Sequence, residues 1–270
     1  MDNNPDRPNG GLGRGERPQS GNPHQITYNQ HVFPARSIGR FAGINRTVEV
    51  YDRIRSCKRK AASNDVIFCA QRSWDERSEK GYMKEIEADF QNLVSMVTSN
   101  AITFNSEQIA IINKFFWLWY FRARRRLLER QEIQLNAVSA ESRHTKDDEE
   151  RLEKAGVMFI RPNATLPARF ISGTQIHMDI NRQTSTTEAR WVVVDASDGE
   201  FIVPDQPCHL IIPITPQMCL VDAEAGGTIN QKNVGDLNAI LFNSSERYFF
   251  ARKLSACPIY LSEFSGVRMG

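Results

Sequence analysis

The residues with the most chemical capacity in this chain lie far apart. His31 sits in Asn29-Gln30-His31-Val32-Phe33-Pro34, and an imidazole that titrates near neutral pH suits a general acid or base. Asp205 and Gln206 stand between Pro204 and Pro207, directly after the apolar run Phe201-Ile202-Val203. Proline fixes its own φ and restricts the residue before it, so such a strand end aims a carboxylate and an amide in a set direction. The same residues also suit a turn, which Asp often caps beside proline. Glu79 and Glu87 offer hard oxygen ligands for a divalent cation such as magnesium or manganese. A little over two helical turns separates them, so they need not share one ion. Arg122 and Arg124, in a basic run, carry guanidiniums suited to phosphate. The expected chemistry is phosphodiester hydrolysis, with His31 and Asp205 catalytic, Gln206, Arg122 and Arg124 on the substrate, and Glu79 and Glu87 on a metal.

Composition narrows the class. Hydrophobic residues make up 40% and charged residues 24%, values of an ordinary globular protein rather than a disordered one. No stretch reaches the roughly 18 uninterrupted apolar residues of a membrane helix. The richest run, 115–121, is closed off by Lys114 and Arg122. The N-terminus has no apolar signal-peptide core, so the expected location is the cytoplasm, away from any membrane. The 5 cysteines are odd in number and show no C-x-x-C spacing, which points to free thiols. Net charge is only +2 but unevenly spread. Basic residues crowd 36–60 and 122–130, and acidic ones 147–150. Basic runs of this kind meet phosphate or simply face solvent. The chain carries no Walker loop, G-x-S-x-G, H-E-x-x-H or dinucleotide-binding glycine motif; the Gly-rich run at 11–15 precedes no helix.

The elements that must position these residues follow from periodicity. Residues 1–23 hold almost no large apolar side chain and read as a flexible, disordered tail, with a single domain over 24–270. Strands are expected at 47–51 and 66–70, joined by a basic loop at 53–60. From residue 75 or 78 to 97, Tyr82, Met83, Ile86, Phe90, Leu93, Val94 and Val97 recur at helical steps. A second long helix starts after Asn105, which caps it with Gln108 three residues on, and runs to about 138. Trp117, Trp119 and Tyr120 lie in its apolar part and read as core rather than as a stacking platform. A third helix over 147–155 ends at Gly156. Strands are expected at 157–160, 190–195, 200–203 (a hairpin across Asp198-Gly199), 210–214 and 218–221, with a helix over 234–242. Residues 245–253 fit a strand or a buried helix. Segregated elements of this kind indicate an α+β fold, a helical middle of two long helices packed with a mainly antiparallel sheet of short strands.

Several short marks resemble a family of uncharacterised bacterial proteins grouped as a domain of unknown function. They are His31-Val32-Phe33-Pro34 with Arg40-Phe41, then Val48-Glu49-Val50-Tyr51-Asp52, then a helix bearing Glu79, Met83, Ile86, Glu87 and Phe90. Later come Phe201-Ile202-Val203-Pro204-Asp205-Gln206-Pro207, Pro213-Ile214-Thr215-Pro216 and Asn238. Here Pro204 stands where the family has Ser, and Gln206 where it has Asn, which removes a hydroxyl and keeps the carboxylate and the amide. The resemblance implies that His31 and Asp205 belong to one site in a bacterial protein, and it implies no particular reaction. Two functions are therefore expected: a nucleic-acid phosphodiester hydrolase of a toxin or defence setting, or a non-catalytic module binding a nucleotide, RNA or a protein.

Overall fold

The computed structural model describes residues 15–98, 103–126, 131–136 and 144–259. Its first strand, β1 (Asn29–His31), leads through a short helix, α1 (Ala35–Gly39), to β2 (Thr47–Asp52), whose Val48 and Val50 point inward as the alternation requires. The segment expected as a basic loop is in large part a strand, β3 (Cys57–Ala62), paired antiparallel to β2 from Thr47↔Ala62 to Asp52↔Cys57. It is the edge of its sheet, where exposed Lys58 and Lys60 discourage further pairing. Asp65 caps a single 3-10 turn at Val66–Phe68 through Ile67 N, so only β4 (Cys69–Gln71) of the expected strand at 66–70 is extended. β4 pairs with β1, and His31 lies opposite Cys69.

The helical middle holds two long helices, as the periodicity indicates. The first is broken into α2 (Glu76–Lys80) and α3 (Tyr82–Val97) at Gly81, where a Cβ would lie 2.7 Å from the Arg77 carbonyl oxygen. Phe90 is buried on α3 and stacks on Phe115 of α4 (Ser106–Arg125). Asn105 and Gln108 form the reciprocal cap at the start of α4, but the helix ends at Arg125, short of the expected 138.

The remaining elements are β5 (Glu132–Gln134), α5 (Lys146–Lys154), β6 (Thr165–Pro167), α6 (Ala168–Thr186), β7 (Trp191–Ala196), β8 (Val203–Pro204), β9 (Ile211–Pro213), β10 (Met218–Asp222), β11 (Gly227–Ile229), α7 (Gln231–Ser244) and β12 (Tyr248–Ala251). α5 ends before Gly156, whose φ is +76°. Residues 157–160 are not a strand; they form an irregular connection beyond α5. The 19-residue α6 has no counterpart in the sequence reading, because its buried side carries Arg169, Ser172 and Gly173 beside Phe170, Ile176 and Ile180. The hairpin expected across Asp198-Gly199 does not form. β7 pairs with β10 and β11, whereas β8 joins β12 in the other sheet. One sheet runs β3-β2-β12-β8, antiparallel throughout. The second runs β11-β7-β10-β9, with β11 parallel to β7. β5 pairs with β6. The architecture is α+β. One core cluster gathers Val50, Phe250, Trp191, Leu220, Phe90, Phe115 and Ile176, so both sheets and the long helices share it.

Residues 15–23 differ from the expected flexible tail. The Glu16 carboxylate is held by Lys146, Arg161 and Arg169, its carbonyl accepts from Arg72, and Gln19 reaches Glu150 and Asp147. Charge supplies here what the missing apolar side chains do not. Residues 1–14 lie outside the described residues. No described helix is long and apolar enough to cross a membrane.

Candidate functional site

Two arginines four residues apart fall on one helical face, so the last turns of α4 send Arg122 and Arg126 to the same side and Arg124 away from it. Arg122 and Arg126 are only 1% and 5% exposed, while Arg124 is exposed and donates to the Tyr120 hydroxyl at 3.0 Å. Each buried guanidinium lies over an aromatic ring, Arg122 at 5.3 Å from the centre of Trp74 and Arg126 at 5.1 Å from that of Tyr248.

The surroundings of the two differ in charge. Arg122 pairs with Glu87 and, at 3.3 Å, with Glu79, whose other hydrogen bond comes from Trp74 Nε1 at 2.6 Å. The break at Gly81 makes this possible: Glu79 lies in the last turn of α2 and Glu87 belongs to α3, yet both reach one guanidinium. Burial alone would lower the Arg122 pKa, but Glu87 and Glu79 hold it above its ordinary value. The two carboxylates expected to bind a metal do share a cation, and it is Arg122. Among the described residues no group of three or more His, Cys, Asp or Glu is arranged to hold a metal ion, so the expected magnesium or manganese finds no ligand set there.

Arg126 is less well matched. Its Nη2 donates to the Ile67 carbonyl, and Nη1 lies 4.0 Å from Asp205 Oδ2, beyond hydrogen-bond distance. Nε and Nη1 make no hydrogen bond of good geometry to a described residue, and the hydroxyl of Tyr248, 1% exposed, lies close enough to the Arg126 guanidinium for that cation to act on it as a hydrogen-bond partner. Asp205 is fully engaged by the backbone: its two oxygens accept from Glu246 N at 2.9 Å and Arg247 N at 3.1 Å, and its own N–H donates to Tyr248 O. It therefore pins the corner that leads into β12. Burial raises the Asp205 pKa against the pull of those donors and of Arg126. The half-buried Arg247 guanidinium, with no hydrogen bond to a described residue, is lowered to about 10 by burial and by repulsion from Arg126. Burial also pushes the Tyr248 hydroxyl up to about 12, so it stays a donor.

A buried polar seam results, with one end where Arg122 meets two carboxylates and another where Arg126 and Arg247 face Asp205, with Asp52 and Glu246 also close enough to act on these groups. The segment joining its walls is strained. Arg72, 2% exposed, has φ +47°. After it, Ser73 Oγ donates to the Arg126 carbonyl, and Trp74 lies under Arg122.

The other expected site residues stand apart from this arrangement. His31 Nε2 lies 2.9 Å from the Ser63 carbonyl oxygen, and Cys69, opposite His31 in the ladder, is the residue that senses Arg126. His31 and Asp205 make no hydrogen bond to each other. Gln206 Nε2 donates to Ser244 O at 2.9 Å and ties β8 to α7. Sequence reasoning missed Arg126, Arg247, Tyr248 and Trp74. The usable signal was the four-residue step from Arg122 to Arg126, which continues the buried stripe of Phe115 and Trp119. No protein-family model matches the chain, and no match to it was found among curated proteins or solved structures.

Proposed function

We propose that this chain binds a small anionic, phosphate-bearing ligand at the Arg126 end of the seam, with Arg126 and Arg247 as its cationic partners. The observation that carries this reading is buried Arg126, whose Nε and Nη1 make no hydrogen bond of good geometry to a described residue. An unmade buried hydrogen bond costs about 1–3 kcal/mol, and an oxyanion that accepts from a guanidinium N–H removes that cost with charge assistance. Arg247 adds a second cation. Nucleotides carry this chemistry, and the non-catalytic alternative drawn from the sequence is the one the geometry supports better. The test is calorimetric titration of the full-length protein with nucleotides in phosphate- and sulfate-free buffer. Ligand at about a hundredfold above its Kd should stabilise the protein by roughly 2.7 kcal/mol. Absence of any heat of binding or thermal shift with every phosphorylated compound sinks the reading.

One observation favours phosphodiester hydrolysis as a second reading. Burial holds the Asp205 carboxyl above its ordinary range beside Arg126, the direction a general acid requires. Incubation with RNA, single-stranded DNA and duplex DNA, with and without magnesium or manganese, separates the two. Products that form with the wild type and vanish in Asp205→Asn support hydrolysis; intact nucleic acid at high protein concentration leaves binding alone.

A further inference from the structure

We infer that the cleft between the β11-β7-β10-β9 sheet and the facing ends of α3 and α4 binds a small hydrophobic amine, whose ammonium group pairs with Asp195. This second site shares no lining residue with the seam. It follows from strand alternation. On β7, Trp191, Val193 and Asp195 point to one side, and the register Met218↔Asp195 and Leu220↔Val193 sets Met218 and Leu220 of β10 beside them. Trp191 and Leu220 are buried in the shared core, whereas Val193 and Met218 are only partly covered. α3 stops at Val97 and α4 starts at Ser106, and Val97, Phe104 and Ile109 line the cleft from that helical side. The space is about 640 Å³, the size of a small-molecule site. Its remaining lip is backbone. A Cβ on Gly226 would lie 2.4 Å from the Val193 carbonyl oxygen, so only glycine lets this segment run against β7. Gly227, at φ +122°, has open space where a side chain would stand. The lip therefore carries no side chain that could fill the cleft.

Charge selects the occupant. Arg190 and Asp195 are the charged residues of the lining, and neither side chain has a hydrogen bond or ion pair to a described residue. They stand five residues apart on an extended chain, roughly 16 Å, too far to neutralise each other. Arg190 is exposed, where water and salt screen it. Asp195 is half-buried, on the face that carries Trp191 and Val193. A charge beside apolar walls acts through a lower dielectric than one in open solvent, so the carboxylate decides which ligand charge is favoured. Arg190 sets the direction: a cationic head is drawn to Asp195 and kept from the Arg190 end. The apolar body then lies along Val193 and Met218, against Ile109 and Phe104. Trp191 spends its Nε1 on Asn113 Oδ1 at 2.6 Å, so it meets the cleft as an apolar surface.

The experiment is isothermal titration of the full-length protein with octylamine, butylamine, octanol and octanoate. Octylamine should bind. Butylamine should bind at least about tenfold more weakly, because each buried methylene adds up to about fourfold. Octanol and octanoate, which keep the chain and lose the cation, should also be weaker by about tenfold or more, given the strength of bonds to charged groups. Asp195→Asn changes a half-buried side chain with no partner among the described residues, and should bring octylamine down to the affinity of octanol. If octanol or octanoate binds wild-type protein as tightly as octylamine, selection by the carboxylate is wrong, and this arm needs no variant. If butylamine matches octylamine, the apolar walls are not the site. If Asp195→Asn, shown folded by circular dichroism, keeps full octylamine affinity, the amine binds elsewhere. If no probe binds, the inference falls, and the anion-binding reading of the seam is untouched.

Discussion

At the scale of single residues, Arg122 is neutralised by two carboxylates while Arg126 has Asp205 at 4.0 Å, and each keeps a buried Nε without a described hydrogen-bond partner. Arg122 is enclosed by Glu79, Glu87 and Trp74. Taking away the cation leaves two carboxylates facing each other in a mostly buried place. Arg122→Met should therefore cost about 3–5 kcal/mol, the range for removing one partner of a buried ion pair, read as a lowered urea midpoint. A loss below about 1 kcal/mol would mean that the cluster is far more open to water than its burial indicates. Asp205→Asn tests a different point. An asparagine amide offers one acceptor oxygen to the two backbone donors of Glu246 and Arg247, so one N–H is left unpaired, at about 1–3 kcal/mol. The pH dependence has a definite sign. The folded pKa of Asp205 is raised, so the folded state holds this proton to higher pH than the unfolded chain does. The contribution of Asp205 to stability is then greatest at acid pH and falls as pH rises from about 3.8 through the folded value. The gap between wild type and Asp205→Asn should accordingly be wider at pH 4 than at pH 7 in paired denaturation curves.

At the scale of elements, the N-terminal arm behaves as a charged strap. Glu16 is held down to about 2, against the effect of its own burial, by Lys146, Arg169 and Arg161. Because this folded pKa is depressed below 4.5, the stabilisation is complete above the unfolded value and is lost as pH falls toward the folded one. The arm should loosen between pH 4.5 and about 2, seen as faster amide hydrogen exchange across residues 15–22. Deleting residues 1–22 at neutral pH should also lower the melting temperature by several degrees, since it strips the partner from a cluster in which Arg161 and Arg169 are mostly or fully buried. An unchanged melting temperature would show that those arginines are satisfied by Glu149, Glu132 and Glu153 alone.

At the scale of the whole molecule, the shared core decides how the chain unfolds. Phe250 from one sheet, Trp191 and Leu220 from the other, and Phe115 from α4 belong to a single buried cluster. Neither sheet keeps its apolar face covered without the helices. Unfolding should therefore be one cooperative transition with calorimetric and van't Hoff enthalpies in agreement. A separate early transition of the β11-β7-β10-β9 sheet in a calorimetric scan would contradict this.

What the sequence determined by itself was local. The α+β class, the stripe through Phe90, the cap at Asn105, the end of α5 before Gly156 and the β9–β10 pair all follow from interactions within a few residues, which local spacing encodes. The tertiary structure alone decided the rest. Whether β8 pairs with β7 or with β12 depends on a competition between strands distant in sequence, and β12 won. α6 was invisible because its buried face carries Arg169 and Gly173, polar and small residues whose burial makes sense only beside Glu153 and α2. The arm showed no apolar pattern because ion pairs from α5 and α6 hold it. At the site, residue types alone favoured His31 and Asp205 as a pair, yet each spends its polar atoms on nearby backbone. The seam formed instead around Arg126 and Arg247, about 120 residues apart in sequence. Local spacing encodes which face of α4 is buried; only the packed chain decides that Tyr248 and Asp205 meet that face and that Arg126 is left with Asp205 at 4.0 Å.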